Sequence, residues 1–152
     1  MITSISDGAP ATATSDSSSD LVMDAIPADA VRLTAVRTSV LAWLRMRGVD
    51  EDTCQDITLA TYEALANGVE HAYDHAPSGG PGTIDLRAEF GPEGSVVIRV
   101  TDQGIWTISA DDPRRGRGLP LIHALAHEAS VETTDQGTTV VMRWMGDRAV
   151  SR

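Results

Sequence analysis

The spacing of apolar residues changes from helical to strand-like midway along this chain, and that change limits the folds open to it. From Ala28 to about Asp74 the large apolar side chains recur at helical intervals. In the first such stretch Leu33, Val36, Val40 and Leu44 share one side, while Arg32, Arg37, Arg45 and Arg47 lie elsewhere. Residues 76–82, APSGGPG, carry no side chain able to build a core and read as a loop. Beyond them the period is two. TIDLRAEF at 83–90 alternates cleanly as a strand and SVVIRVT at 95–101 reads as a second one, joined by the Gly91–Gly94 turn.

Other signals complete the outline. LVMDAI at 21–26 predicts a short strand that Pro27 ends. Gly48 predicts the stop of the first helix. The second helix is predicted to begin near Asp50 to Thr53, where Glu51 and Asp52 suit the positive end of the helix dipole, and to run to about Asp74. Residues 107–115 read as a loop, and Leu119 to Glu128 as a short helix with Pro120 in its first turn. Strands near Ala129–Thr134 and Thr138–Trp144, turned by Asp135-Gln136-Gly137, end the pattern. The order β-α-α-β-β-α-β-β predicts an α+β fold, a two-layer sandwich whose mixed or antiparallel sheet is covered on one face by helices. Residues 1–20, mostly Ser, Thr, Ala and Asp, cannot offset the entropy of ordering and are predicted to be a disordered tail. The folded domain is predicted at 21–145, with a short tail at 146–152.

Charge narrows the function classes. Lys is absent, so all 12 basic residues are Arg, and they face 22 acids for a net charge of −10. A pI near 4.6 argues against nucleic-acid or anionic-membrane binding, both of which need a basic footprint. The lone Cys54 excludes an internal disulfide or a Cys-rich zinc site and reads as a small buried filler. No apolar run approaches the roughly 18–20 residues of a membrane span. No secretory signal is visible at the N-terminus, which predicts a cytoplasmic location. His75, His123 and His127 lack a metal-ligand pattern, and Trp43 and Trp144 read as packing residues.

Three segments carry chemistry. Glu63, Asn67 and His71 are spaced four apart and stack on one face of the second helix. Glu70 and Asp74 extend that polar face, with Leu65, Val69 and Ala72 opposite. Asp102 stands at a strand end, able to accept from an exocyclic amine, and Gly104 would let a planar ligand approach the backbone. Arg114-Arg115-Gly116-Arg117-Gly118-Leu119 precedes a helix, where glycines expose N–H groups that suit phosphate and arginines add charge-assisted donors. The spacing is not that of a Walker A loop.

Together these segments resemble the GHKL-type ATPase/kinase superfamily that includes gyrase, histidine kinases and MutL. Within it they are most similar to the stand-alone anti-sigma-factor serine/threonine kinases of bacteria. Glu63 to Tyr73, EALANGVEHAY, fits the family's E-A-x-x-N-x-x-x-H-A/G-Y box position by position. The D-x-G-x box falls on Asp102 and Gly104, the next on Gly116-Arg117-Gly118-Leu119, and the closing G-T-T on Gly137-Thr138-Thr139. The resemblance covers residues 21–144.

It implies a Bergerat-type fold with ATP and Mg²⁺ as cofactors. By similarity, Asn67 would hold the metal, His71 would lie near the phosphates, and Asp102 would accept from the adenine amine with help from Thr138. Gly116 and Gly118 would offer N–H groups to the phosphates, Arg115 or Arg117 would neutralise the γ-phosphoryl, and Glu63 would take the acceptor's proton. Gly104, Leu119 and Thr139 belong to the same boxes. The resemblance further implies a sigma factor and a STAS-type anti-anti-sigma factor as partners, and a homodimer. Trp106 replaces the second glycine of many relatives, and only about ten residues separate the second and third boxes. Those departures keep open an alternative, a nucleotide-responsive binding module without phosphotransfer.

Overall fold

Three helices cover one face of a five-stranded sheet in the computed structural model. It describes residues 20–75, 82–103, 115–135 and 137–146, with side chains over the same ranges except 71–75 and 115–118. Strand β1 (Leu21–Pro27) leads into helices α1 (Ala30–Met46) and α2 (Glu51–His75). Strands β2 (Thr83–Phe90) and β3 (Val96–Asp102) form a hairpin. Helix α3 (Arg115–Leu125) then precedes β4 (Glu128–Thr134) and β5 (Gly137–Trp144). The strands lie in the order β1-β2-β3-β5-β4, and each neighbouring pair is antiparallel, so the sheet is antiparallel and not mixed.

Local chemistry sets the helix ends. Asp29 caps α1 by accepting from the Val31 N–H at 2.8 Å. At the other end Gly48 takes φ 79°, while its N–H reaches Arg45 O at 3.0 Å and the Val49 N–H reaches Leu44 O at 3.2 Å. That is a Schellman closure, which needs a residue tolerant of the left-handed region. Asp50 then caps α2, accepting from the Thr53 N–H at 3.0 Å and the Thr53 hydroxyl at 2.7 Å.

The apolar periods meet in one core. Leu33, Val36, Val40 and Leu44 of α1 are buried, as their spacing predicts, together with Ile57, Ala64 and Leu65 of α2. The helix-facing side of the sheet contributes Ile84 and Leu86, Ile98 and Val100, and Val140 and Met142, set side by side by the register. The opposite face carries partly exposed ion pairs, Arg99–Glu89 at 3.3 Å and Arg143–Glu128 at 3.4 Å. Trp43 stacks on Phe90 at 4.4 Å between centroids, and the buried Trp144 donates its Nε1–H to Leu125 O at 2.9 Å. Cys54 is buried, and burial pushes its thiol pKa up.

The third helix differs from the sequence expectation. It begins at Arg115 and ends at Leu125, so the Arg-Gly segment forms its first turn and Pro120 is its sixth residue. A proline there withholds only one backbone bond, near an end where N–H groups lack partners in any case. The Ala126 N–H closes the last turn on Ile122 O at 2.9 Å, and the His127 N–H bonds Arg143 O at 3.0 Å. That handover to β5 makes Glu128 the start of a strand.

Candidate functional site

The strand ends opposite the β2–β3 turn bring two of the sequence-selected residues, Asp102 and Thr138, together. Strand alternation puts Asp102 on the helix-facing side, one pair beyond Val100. Its register partners are Ile84 on β2 and Thr138 on β5. All three are buried, Asp102 at 2% exposure, an unusual position for a carboxylate. The Thr133 hydroxyl lies 3.5 Å from that of Thr138 and extends the polar group toward the sheet edge.

Helix α2 closes over this end, and a glycine makes the approach possible. A β-carbon on Gly68 would stand 3.1 Å from Ile84 Cδ1 and 3.5 Å from Asp102 Oδ2. The bare face of the helix is thus in contact range of the carboxylate. Asn67 is the preceding residue and Glu63 lies one turn earlier, both half-buried. Gly137 fixes the other side. Its φ is 143°, and a β-carbon there would lie within 2.1 Å of Asp102 O, so β5 begins against the backbone that carries the carboxylate.

The structure places Thr139 elsewhere. Its side chain is on the far face of the sheet, where its hydroxyl is 2.9 Å from that of Thr101. Being adjacent to Thr138 forces this, since neighbours on a strand point to opposite faces. Leu119 is half-buried and packs against the core. Arg115, Gly116, Arg117 and Gly118 make up the first turn of α3, where four N–H groups have no partner within the helix. Helix α3 packs on α2, the helix that carries Glu63 and Asn67. Gly104 and Trp106 lie outside the described residues, as do the side chains of His71, Arg115 and Arg117. Sequence reasoning passed over Gly68 and Ile84. A glycine inside a long helix, unfavourable by about 1 kcal/mol against alanine, was the available signal for the first.

The donor set suits a nucleotide. A buried carboxylate beside a hydroxyl can read an exocyclic amine. Among the described residues no group of three or more His, Cys, Asp or Glu could hold a metal. A single side-chain oxygen such as that of Asn67 is the kind of ligand Mg²⁺ uses when phosphates and water supply the rest. No helix among the described residues is long and apolar enough to cross a membrane.

Comparison with known proteins points the same way. Residues 26–144 match the model of the histidine kinase-like ATPase domain. The RsbU and RsbW domains of Rv1364c from Mycobacterium tuberculosis superpose with a TM-score of 0.67 at 28% identity, over 83% of this chain and 32% of that one. The histidine kinase domain of the blue-light activated kinase EL346 from Erythrobacter litoralis gives 0.56 at 20% identity, over 83% and 64% of the two chains. A longer form of that kinase also gives 0.56 at 20% identity, over 84% and 44%. The chain therefore spans between about a third and two thirds of these structures. With the family's model matched over residues 26–144, most of the helix-and-sheet sandwich, this chain belongs to the histidine kinase-like ATPase domain family.

Proposed function

We propose that the chain is an ATP-dependent protein serine/threonine kinase that phosphorylates a STAS-type anti-anti-sigma factor and sequesters a sigma factor. The carrying observation is the seating of Asp102 against Gly68, on the helix that also presents Glu63 and Asn67. A base-reading carboxylate and a carboxylate–amide pair on one helix are what a bound nucleotide and a hydroxyl acceptor need. The likeness to an RsbW domain favours a protein substrate of this kind.

In this reading Asp102 and Thr138 hold the adenine edge, and burial strengthens their hydrogen bonds by excluding water. Asn67 offers its amide oxygen to Mg²⁺. Gly116 and Gly118 present N–H groups from the first turn of α3, and Arg115 or Arg117 balances phosphate charge. Glu63 accepts the proton from the attacking hydroxyl. Bound Mg²⁺–ATP supplies the phosphoryl group. Phosphoryl transfer requires mainly such positioning and charge balance.

The test mixes the chain with ATP, Mg²⁺ and a cognate STAS-type protein and follows phosphate on Ser or Thr. Glu63→Ala is expected to slow transfer by about 10²–10⁴-fold with ATP binding retained. Equal transfer by that variant would remove the assigned base. Nucleotide binding by the native chain without any transfer would instead support the non-catalytic binding module that Trp106 leaves open.

A further inference from the structure

Three polar side chains interrupt an otherwise apolar surface. At the helix-facing positions of β2, β3, β4 and β5 every residue is apolar except Asp102, Thr138 and Thr133. The register sets these three side by side. Asp102 on β3 pairs with Thr138 on β5, and Thr138 pairs with Thr133 on β4. Residues paired across strands on one face bring their β-carbons to about 5 Å, so the three form a continuous polar row from the centre of the sheet to its edge.

Burial accounts for the residues before Thr133 on its face of β4 but not for Thr133 itself. Ala129 and Val131 pack against the core, whereas Thr133 is exposed. Its hydroxyl lies 3.5 Å from that of the buried Thr138. The turn holds it there, since Thr134 pairs with Gly137 and donates its hydroxyl to Gly137 O at 3.4 Å. Charge gives this contact a direction. A hydroxyl has one proton to give and two lone pairs to receive. The Asp102 carboxylate draws the Thr138 proton toward the centre of the sheet, which leaves Thr133 as the donor at the edge. A hydroxyl that receives one hydrogen bond gives its own more strongly.

Building on the assignment of Asp102 and Thr138 to the adenine edge, we infer that Thr133 is a positioning residue for the base and acts through Thr138. Adenine offers an amine that donates and, beside it, the ring nitrogen N1 that accepts. Asp102 serves the amine. Thr138 serves N1, directly or through a water, when its proton stays on the Asp102 side. Thr133 keeps it there by donating to the Thr138 oxygen from the other side. Without that donor the Thr138 hydroxyl turns freely between giving and receiving, so the reading of N1 weakens while the reading of the amine stays.

Binding of three nucleotides to the full chain tests this: ATP, 1-deaza-ATP, which lacks N1, and purine riboside triphosphate, which lacks the amine. The native chain is expected to prefer ATP over both. Thr133→Val keeps the branched shape and removes the donor. It is expected to cut the preference for ATP over 1-deaza-ATP by about three- to tenfold, with the preference over purine riboside triphosphate and the Tm unchanged. Thr133→Ser retains the hydroxyl and should keep the native ratio. An unchanged preference over 1-deaza-ATP in Thr133→Val would overturn the inference, and so would an equal loss for all three nucleotides, which is what a structural role alone produces. A native chain that binds ATP no better than 1-deaza-ATP overturns this inference and leaves the nucleotide site standing. A native chain that binds none of the three overturns both.

Discussion

Asp102 Oδ2 lies 3.5 Å from the point where a β-carbon on Gly68 would sit. One hydrogen in place of a methyl therefore decides how close the second helix comes to the end of the central strand. Gly68→Ala gains about 1 kcal/mol of helix propensity, while its methyl must press Ile84 Cδ1 aside from 3.1 Å. We expect Tm to hold, and ATP affinity to fall about tenfold because the methyl crowds the carboxylate. Adding Ile84→Val removes the pressed methyl, so calorimetry on the double variant should show the same nucleotide defect. Restored affinity would trace the effect to Ile84 instead.

Gly137→Ala should behave differently, because its β-carbon meets backbone. The added atom would lie 2.1 Å from Asp102 O at a φ of 143°. Neither strand can yield without breaking the Asp102–Thr138 pairing. A loss of about 2–4 kcal/mol in denaturant unfolding is expected. A midpoint equal to the native chain would contradict this close packing.

Thr61 offers a gain. Its hydroxyl is buried with no hydrogen-bond partner among the described residues, whereas Thr58 returns its own to Cys54 O at 2.7 Å. Thr61→Val keeps the shape and removes the unsatisfied group, so stability should rise by about 1 kcal/mol. Destabilisation on chemical unfolding would show that the hydroxyl has a partner in solution.

Arg45 and Glu51 tie the end of α1 to the start of α2 at 2.6 Å. The hydrogen bond from Arg45 holds the Glu51 carboxyl below its ordinary range. A depressed folded pKa adds stability above the unfolded value, and the addition disappears as pH falls through the folded one. The Tm difference between the native chain and Glu51→Gln should be small at neutral pH, since both side chains are more than half exposed. It should shrink to nothing on acidification and in high salt. A difference that grew in acid would reverse the sign of this linkage.

Burial raises the Cys54 thiol pKa. The native chain should therefore resist thiol reagents that label the denatured chain at once. A raised folded pKa also means that this group's contribution is lost as pH climbs through it, on the alkaline limb of stability. Rapid labelling under native conditions would show that the start of α2 opens.

Much of the fold was legible because period and punctuation act locally. Leu33 to Leu44 declared a helix face, Gly48 its end, and the alternation of 83–90 a strand. The start of α3 was misplaced by four residues, since Gly116, Gly118 and Pro120 look like loop chemistry until packing on α2 carries the helix through them. For the candidate site, motif order singled out Glu63, Asn67, Asp102 and Thr138, and the register pairs Asp102 with Thr138. Thr139 could have been assigned to the far face by strand alternation, and its bond to Thr101 depends on register.

By itself the sequence determined the element types, the acidic surface and the membership of Glu63 and Asn67 in one helical face, because these depend on side-chain chemistry and spacings within a few residues. Only the tertiary structure decided that a bare glycine on α2 meets a buried carboxylate on β3, and that Asp102 stands beside Thr138 of β5. Those relations join residues 34 or more positions apart. Their distances are set by how the helical layer settles on the sheet, which no local pattern encodes.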